Sequence, residues 1–211
     1  MSVQQNNPLR GRLNAWFLAA VDSYVNRLLH AKKSALFADL SGTVVEIGPG
    51  VGANLTYLAG AHRVIGIEPN AQMRPILERR AARRGVNLEI LPVGAEATGL
   101  PEASVDFVVC TLVLCTVGEP RRVLEETRRI LKPGGKFLFV EHVEAPHGSM
   151  LRRLQRLLRR PWRYVFEGCC LDQDTASLIR AVGFSNCEID QYRLKSPFVP
   201  VNEQIAGVAI V

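Results

Sequence analysis

The sequence predicts an α/β fold, a mostly parallel sheet with helices on both faces and an antiparallel hairpin at its end. Short apolar runs alternate with segments of helical period as far as Glu144, the pattern of crossover units feeding a parallel sheet. A glycine-rich turn, Gly48 to Gly52, directly follows the first run. The last two runs have no helix between them, so they must pair antiparallel.

Taken in order, Met1 to Pro8 is polar and expected to fray. Leu13, Trp16, Phe17, Ala20, Tyr24, Leu28, Leu29, Ala35 and Leu36 recur at helical spacing, giving one or two amphipathic helices up to Asp39. Arg10 and Arg12 before an apolar stretch imitate a secretory leader, but Asn14 interrupts the stretch and Asp22 closes it, so a helix is expected. Val44 to Ile47 is the first strand, and a helix is expected from about Ala53 to Gly60. Val64 to Glu68 follows as a strand, Met73 to Arg84 as a charged helix, and Leu88 to Pro92 and Asp106 to Thr111 as further strands. The helix from Arg121 to Leu131 is stopped by Pro133-Gly134-Gly135, and Lys136 to His142 is the fifth strand. A basic helix, Met150 to Phe166, then stands where the next strand belongs. Thr175 to Val182 reads as a helix, and Cys187 to Leu194 and Gln204 to Val211 as the closing hairpin.

With 211 residues, 47% hydrophobic and 22% charged, the chain supports one full core without metal or disulfide help. No apolar run reaches the length of a membrane span. The net charge of +6 permits anionic partners without requiring them. Nucleic-acid binding would need aromatics among the charges; the arginine-rich helices Arg79 to Arg84 and Arg121 to Arg129 have none, and no nucleic-acid partner is expected. The five cysteines form no C-x-x-C pair, which with the odd count points to a reducing, cytoplasmic location. No His, Cys or Asp grouping has metal-ligand spacing along the chain.

The motif richest in chemistry is Glu46-Ile47-Gly48-Pro49-Gly50-Val51-Gly52, between a strand and the next helix. Glycines let the backbone bend tightly and approach a ligand closely. Glu68, twenty positions beyond Gly48, ends the second strand, where a carboxylate accepts hydrogen bonds from ribose hydroxyls. An adenosine-type ligand is therefore expected at the C-terminal edge of the sheet. Gly48, Gly50 and Ala53 also fit the nicotinamide and flavin fingerprint. Against that stand Glu46, placed to meet a cationic ligand group, the terminal hairpin, and a length too short for a separate substrate domain.

From Val45 to Val143 the chain resembles the class I S-adenosylmethionine-dependent methyltransferases. The likeness rests on the E-x-G-x-G-x-G loop, Gly66-Ile67-Glu68-Pro69-Asn70, Gly94-Ala95-Glu96, Asp106-Phe107-Val108-Val109 and Leu131-Lys132-Pro133-Gly134-Gly135. The resemblance implies a Rossmann-like, mostly parallel seven-stranded sheet and S-adenosylmethionine as cofactor. It also implies that Glu46, Gly48 and Gly50 meet the methionine part, Glu68 the ribose, and Ala95 with Glu96 the adenine; Thr111, ending the fourth strand, joins this cofactor set. The Asp that the family often carries near Gly94 is absent. From about Lys32 onward, Cys110 to Cys115, Val140 to Val143 and Phe166 to Cys169 are similar to the mammalian microsomal thiol S-methyltransferases. That narrower likeness implies a small thiol acceptor. Those proteins carry a hydrophobic N-terminal anchor, for which no equivalent is expected here.

Methyl transfer from a sulfonium is an in-line displacement, so the protein must align the acceptor and leave it unprotonated. His142, ending the fifth strand beside Glu141, is the candidate catalytic base. Cys115 and Cys169, with Trp162 and Phe166, are the candidate acceptor pocket. The single domain, 1–211, is expected to carry a helical cap over 1–40 and a basic lid over 144–172. In the lid, Leu151, Leu154, Leu157 and Leu158 are expected to share a face with Met150, flanked by Arg152 to Arg163. Such a helix either covers the acceptor or lies on an anionic membrane, and the second case would suit a phospholipid or quinone acceptor. A third possibility is a non-catalytic module that only binds the donor.

Overall fold

A computed structural model describes residues 24–166 and 168–211. Among the described residues seven strands form one sheet in the order β3-β2-β1-β4-β5-β7-β6. They are β1 (Thr43–Ile47), β2 (Arg63–Ile67), β3 (Leu88–Leu91), β4 (Val105–Thr111), β5 (Leu131–His142), β6 (Asn186–Arg193) and β7 (Glu203–Ile210). The first five run parallel, and β7 pairs antiparallel with both β5 and β6. The expected hairpin is therefore present, with its second strand inserted against β5 and its first at the sheet's edge.

Successive strand residues point to opposite faces, and both faces are covered. Val45, Ile65, Val108, Phe137 and Phe139 pack with Val123, Leu124 and Ile130 of α3 (Pro120–Ile130) and Ile179 of α5 (Thr175–Ala181). Their neighbours Val44, Val64, Val109 and Leu138 pack on the other face with Phe37, Leu55, Leu58, Leu77 and Ala81. Burying a large side chain of this kind contributes about 1.5–3 kcal/mol, so the central strands read as continuous apolar runs rather than alternating ones.

Helix α1, followed over 24–36, lies on the second face, and α2 (Arg74–Arg84) flanks it. The expected residues Trp16 and Phe17 lie outside the described residues. Helix α2 ends on Gly85 at φ +66°, where the amides of Gly85 and Val86 close onto Ala82 and Ala81, a left-handed stop suited to glycine. The helix expected from Ala53 to Gly60 is not regular. Leu55, Tyr57, Leu58 and Ala61 each bond three residues back, so this segment is a chain of tight turns. Gly52, at φ +90°, stands left-handed where the helix would have to start.

Helix α4 (Met150–Val165) is capped by Ser149, whose hydroxyl accepts from the Arg152 amide, and contains Pro161. Its buried face differs from expectation. Leu151 and Gln155 are buried, whereas Met150 and Leu157 are about three-quarters exposed, at 77% and 76%. The cause is Gln155: its side chain accepts from Ala145 N at 2.8 Å and donates to the carbonyls of Val143 at 3.1 Å and Pro200 at 2.9 Å. A polar residue thus fixes which face turns inward.

Candidate active site

The sheet order places the ends of β3, β2, β1, β4 and β5 side by side, and the predicted site residues lie along that edge. Gly48, Gly50 and Gly52 have φ of +60°, +57° and +90°, a region that favours glycine. A Cβ on Gly48 would sit 2.6 Å from Val113. The Glu68 carboxylate bonds the bend directly: Oε2 accepts from Gly50 N at 2.9 Å and Oε1 from Asn70 N at 2.8 Å. Loop and carboxylate thus form one unit. Ala95 is buried beyond the end of β3, and Glu96 follows it with its carboxylate folded towards Gly94.

Glu46 is 1% exposed. Its Oε1 accepts from Asn54 Nδ2 at 2.7 Å, and the same nitrogen donates to Thr111 Oγ1 at 3.1 Å. Glu46 Oε2 and Asn54 Oδ1 are buried without a hydrogen-bond partner among the described residues. Burial pushes the Glu46 carboxyl up to about 7, against the Asn54 hydrogen bond and the nearby Lys33 charge. Two orphaned acceptors beside a glycine bend suit a ligand carrying a positive charge and hydrogen-bond donors. S-adenosylmethionine fits: its amino group and sulfonium are cationic, and its ribose supplies hydroxyls.

Sequence reasoning missed Lys33, Asn26 and Asn54. Lys33 is 1% exposed and donates to Asn26 Oδ1 at 2.8 Å, while Asn26 Nδ2 donates to the Ala53 carbonyl at 2.9 Å. These bonds tie α1 to the segment after the glycine loop. The only signal in the chain was a lysine at an apolar position of the helix.

At the other end of the edge, His142 and Glu141 are both buried. Glu141 Oε1 accepts from the amides of Val113 at 2.9 Å and Leu114 at 3.1 Å and from Cys110 Sγ at 3.4 Å. It thereby holds the loop after β4, where Leu112 has the unusual φ of +57° for a non-glycine. Burial raises the Glu141 carboxyl, with those two amides opposing. That loop delivers Cys115. Cys170 N donates to the Cys115 carbonyl at 2.7 Å and Gln173 Nε2 to the Leu114 carbonyl at 3.0 Å, which docks the segment after α4 onto it.

The result is a sulfur-rich cluster. His142 Nε2 lies 3.1 Å from Cys169 Sγ, Cys115 Sγ lies 3.8 Å from the same sulfur, and Trp162 Nε1 donates to it at 3.3 Å. Trp162 stacks near Phe166 with ring centroids 4.3 Å apart. The four expected pocket residues and His142 therefore come together. The Cys115 contact, then His142 and Trp162, lower the Cys169 thiol well below its usual range. Cys115 is correspondingly raised, chiefly by Cys169 and by burial. Burial works to lower His142, but the Cys169 sulfur outweighs it and favours the charged ring. The chain spacing gave no hint of this convergence, because its members come from three separate elements.

Residues 45–139 match the family described as Methyltransferase domain. Over 206 residues the chain is 32% identical to human thiol S-methyltransferase TMT1B, covering 92% of this chain and 84% of that protein. The chain belongs to this methyltransferase family. Human thiol S-methyltransferase TMT1A is also 32% identical to the methyltransferase, with the same coverage of 92% and 84%. Among solved structures, the putative methyltransferase of Haloferax volcanii in complex with its Trm112 activator superposes with a TM-score of 0.70. That match is 21% identical and covers 93% of this chain and 96% of the other, a likeness of fold. The methyltransferase is S-adenosylmethionine-dependent, as its family is.

Proposed function

We propose that the protein transfers the methyl group of S-adenosylmethionine to a small thiol. The observation that carries this reading is the sulfur-and-imidazole cluster of Cys115, His142 and Cys169 at the end of β5, in a chain alike over 92% of its length to proteins named thiol S-methyltransferases. When bound, the donor supplies an activated methyl group on a cationic sulfur. Glu68 would hold its ribose, Glu46 with Gly48 and Gly50 would meet its charged methionine part, and Ala95 with Glu96 would border the adenine. Thr111 shares Asn54 with Glu46 and keeps that amide turned to the donor.

A thiol ionises near pH 8.5, so little assistance is needed to present a thiolate. His142, whose charged form Cys169 favours, supplies the positive field that stabilises the acceptor anion. Trp162 and Phe166 give the acceptor an apolar wall and keep water out. In this reading α1 caps the donor end and α4 lids the acceptor end. The test is labelled donor with a panel of alkyl thiols, amines and phenols. Transfer to thiols in preference to the others is expected, and no transfer to any thiol refutes the acceptor class.

A second reading is favoured by the outer face of α4. Met150, Leu157, Tyr164 and Val165 are exposed there, with Arg153, Arg156, Arg160 and Arg163 around them. Apolar tips within a basic ring suit a peripheral contact with anionic lipid, and the acceptor would then arrive from a membrane. No described helix is long and apolar enough to cross one. Co-sedimentation with anionic but not neutral vesicles supports this reading, and equal behaviour with both refutes it.

A further inference from the structure

The Cys115 and Cys169 sulfurs and a ring nitrogen of His142 all lie within 4.8 Å of one another, and all three residues are buried. We propose that they form a binding site for a divalent zinc-like ion that takes the acceptor's sulfur as its fourth ligand. The fourth-ligand part rests on the thiol reading above; the three protein ligands do not.

The donor set is the first argument. Two thiols and one imidazole are the soft and borderline ligands that zinc selects, and three protein ligands with an open fourth position are the pattern of catalytic rather than structural zinc. Geometry is the second. Zinc–sulfur bonds of about 2.3 Å at a tetrahedral angle separate two sulfurs by about 3.8 Å, and the Cys115 and Cys169 sulfurs are 3.8 Å apart. The His142 to Cys169 distance of 3.1 Å has to open by about half an ångström to reach tetrahedral separation.

Preorganisation is the third. The ligands come from the loop after β4, the end of β5 and the segment after α4. Glu141 fixes the first through the Val113 and Leu114 amides, β-pairing to β7 fixes the second, and the Cys170 amide fixes the third against Cys115. Trp162 also donates to Cys169 Sγ at 3.3 Å, the kind of outer-shell bond that thiolate ligands attract. The protons now shared by the two sulfurs and the ring are those an ion would displace.

With the ion bound, His142 is a neutral ligand and the ion itself supplies the positive charge beside the acceptor sulfur. A thiol that coordinates it loses its proton to water. The thiolate's electron pair then forms the new carbon–sulfur bond to the donor methyl. The donor's carbon–sulfonium bond breaks, with its pair kept by the departing sulfide. The methylated product is a neutral thioether, a poorer ligand than the thiolate, and leaves.

The test loads the purified full chain with Co²⁺ under reducing conditions without chelator. About one equivalent should bind, with a thiolate-to-cobalt charge-transfer band and the intense visible bands of a tetrahedral site. Zn²⁺ should displace it. Adding an alkyl thiol without methyl donor should shift the visible bands. The C115S/C169S double variant should lose the charge-transfer band while C170S keeps it, since the Cys170 thiol faces Asp172. Donor calorimetry on each variant, and on H142A as a single-ligand deletion, establishes that the fold is intact. Absence of the band in the parent, or its survival in the double variant, overturns the proposal. Undiminished thiol methylation by chelated, metal-free protein overturns the ion's role and leaves the thiol reading standing. A Co²⁺ site with no thiol shift and no thiol transfer sustains the protein ligands and removes the thiol reading.

Discussion

Glu46→Gln isolates the charge of one buried carboxyl with little change of shape. The Gln oxygen can still accept from Asn54, and its amide nitrogen replaces the unpartnered Oε2. Burial raises Glu46 from 4.5 to about 7. The folded state therefore favours the protonated form. Its stabilising effect is complete below pH 4.5 and is lost as the pH rises through about 7. At about 1.4 kcal/mol per unit, the loss amounts to about 3 kcal/mol. Urea unfolding of donor-free protein should show this fall between pH 5 and 8 in the parent and its absence in E46Q, leaving the variant more stable at pH 8. Donor binding should respond in the opposite sense. The ionised carboxylate faces a cation, so parent affinity should rise with pH up to about 7, with proton release visible as a buffer-dependent heat. E46Q should lose that dependence and bind more weakly at pH 8, by about 1.5–3 kcal/mol. A variant whose stability and donor affinity follow the parent's pH profile would refute the assignment of both the raised carboxyl and its ligand.

Three further outcomes follow from the same geometry. Glu68→Ala should weaken donor binding by about 1.5–3 kcal/mol in calorimetry and also destabilise the donor-free fold, because it strips the partner from the Gly50 and Asn70 amides. Gly48→Ala should abolish donor binding and cost at least about 2 kcal/mol, since it combines a left-handed φ with a 2.6 Å contact to Val113; near-normal binding by this variant would show that the bend is not rigid. Gln155→Ala should cost about 3 kcal/mol or more in urea unfolding by orphaning three buried backbone groups, and limited proteolysis should cut α4 first.

The central strands β1, β2 and β5 were legible because each carries an apolar run with both faces buried, so composition alone marks it, whereas the edge strand β6 alternates between half-buried and exposed residues. The donor loop was legible for a related reason: a positive φ leaves a glycine, and glycine spacing survives in the chain. Where tertiary contacts decide, the sequence was silent or misleading. Four leucines and Met150 look like one inward face of α4, yet Gln155, reaching three backbone groups, rotates Met150 and Leu157 outward. The segment 53–60 has helical spacing, but it follows the left-handed Gly52 and its amides bond three residues back, as turns do. His142 was singled out as a base, and Cys115 and Cys169 as lining of an acceptor pocket. The close approach of His142 to both sulfurs required the sheet order and the docking of residues 168–173, neither of which leaves a periodic trace.

The insertion of β7 between β5 and β6 imposes an order of events during synthesis. Strand β5, with Phe137, Leu138, Phe139 and Val140 in succession, gains its second neighbour only from Glu203–Ile210. About sixty residues must therefore leave the ribosome, several seconds at cellular elongation rates, while a long apolar edge stays open. Such an edge is a template for other nascent chains. Chaperone shielding in that interval, rather than final stability, is what should govern the yield of folded protein.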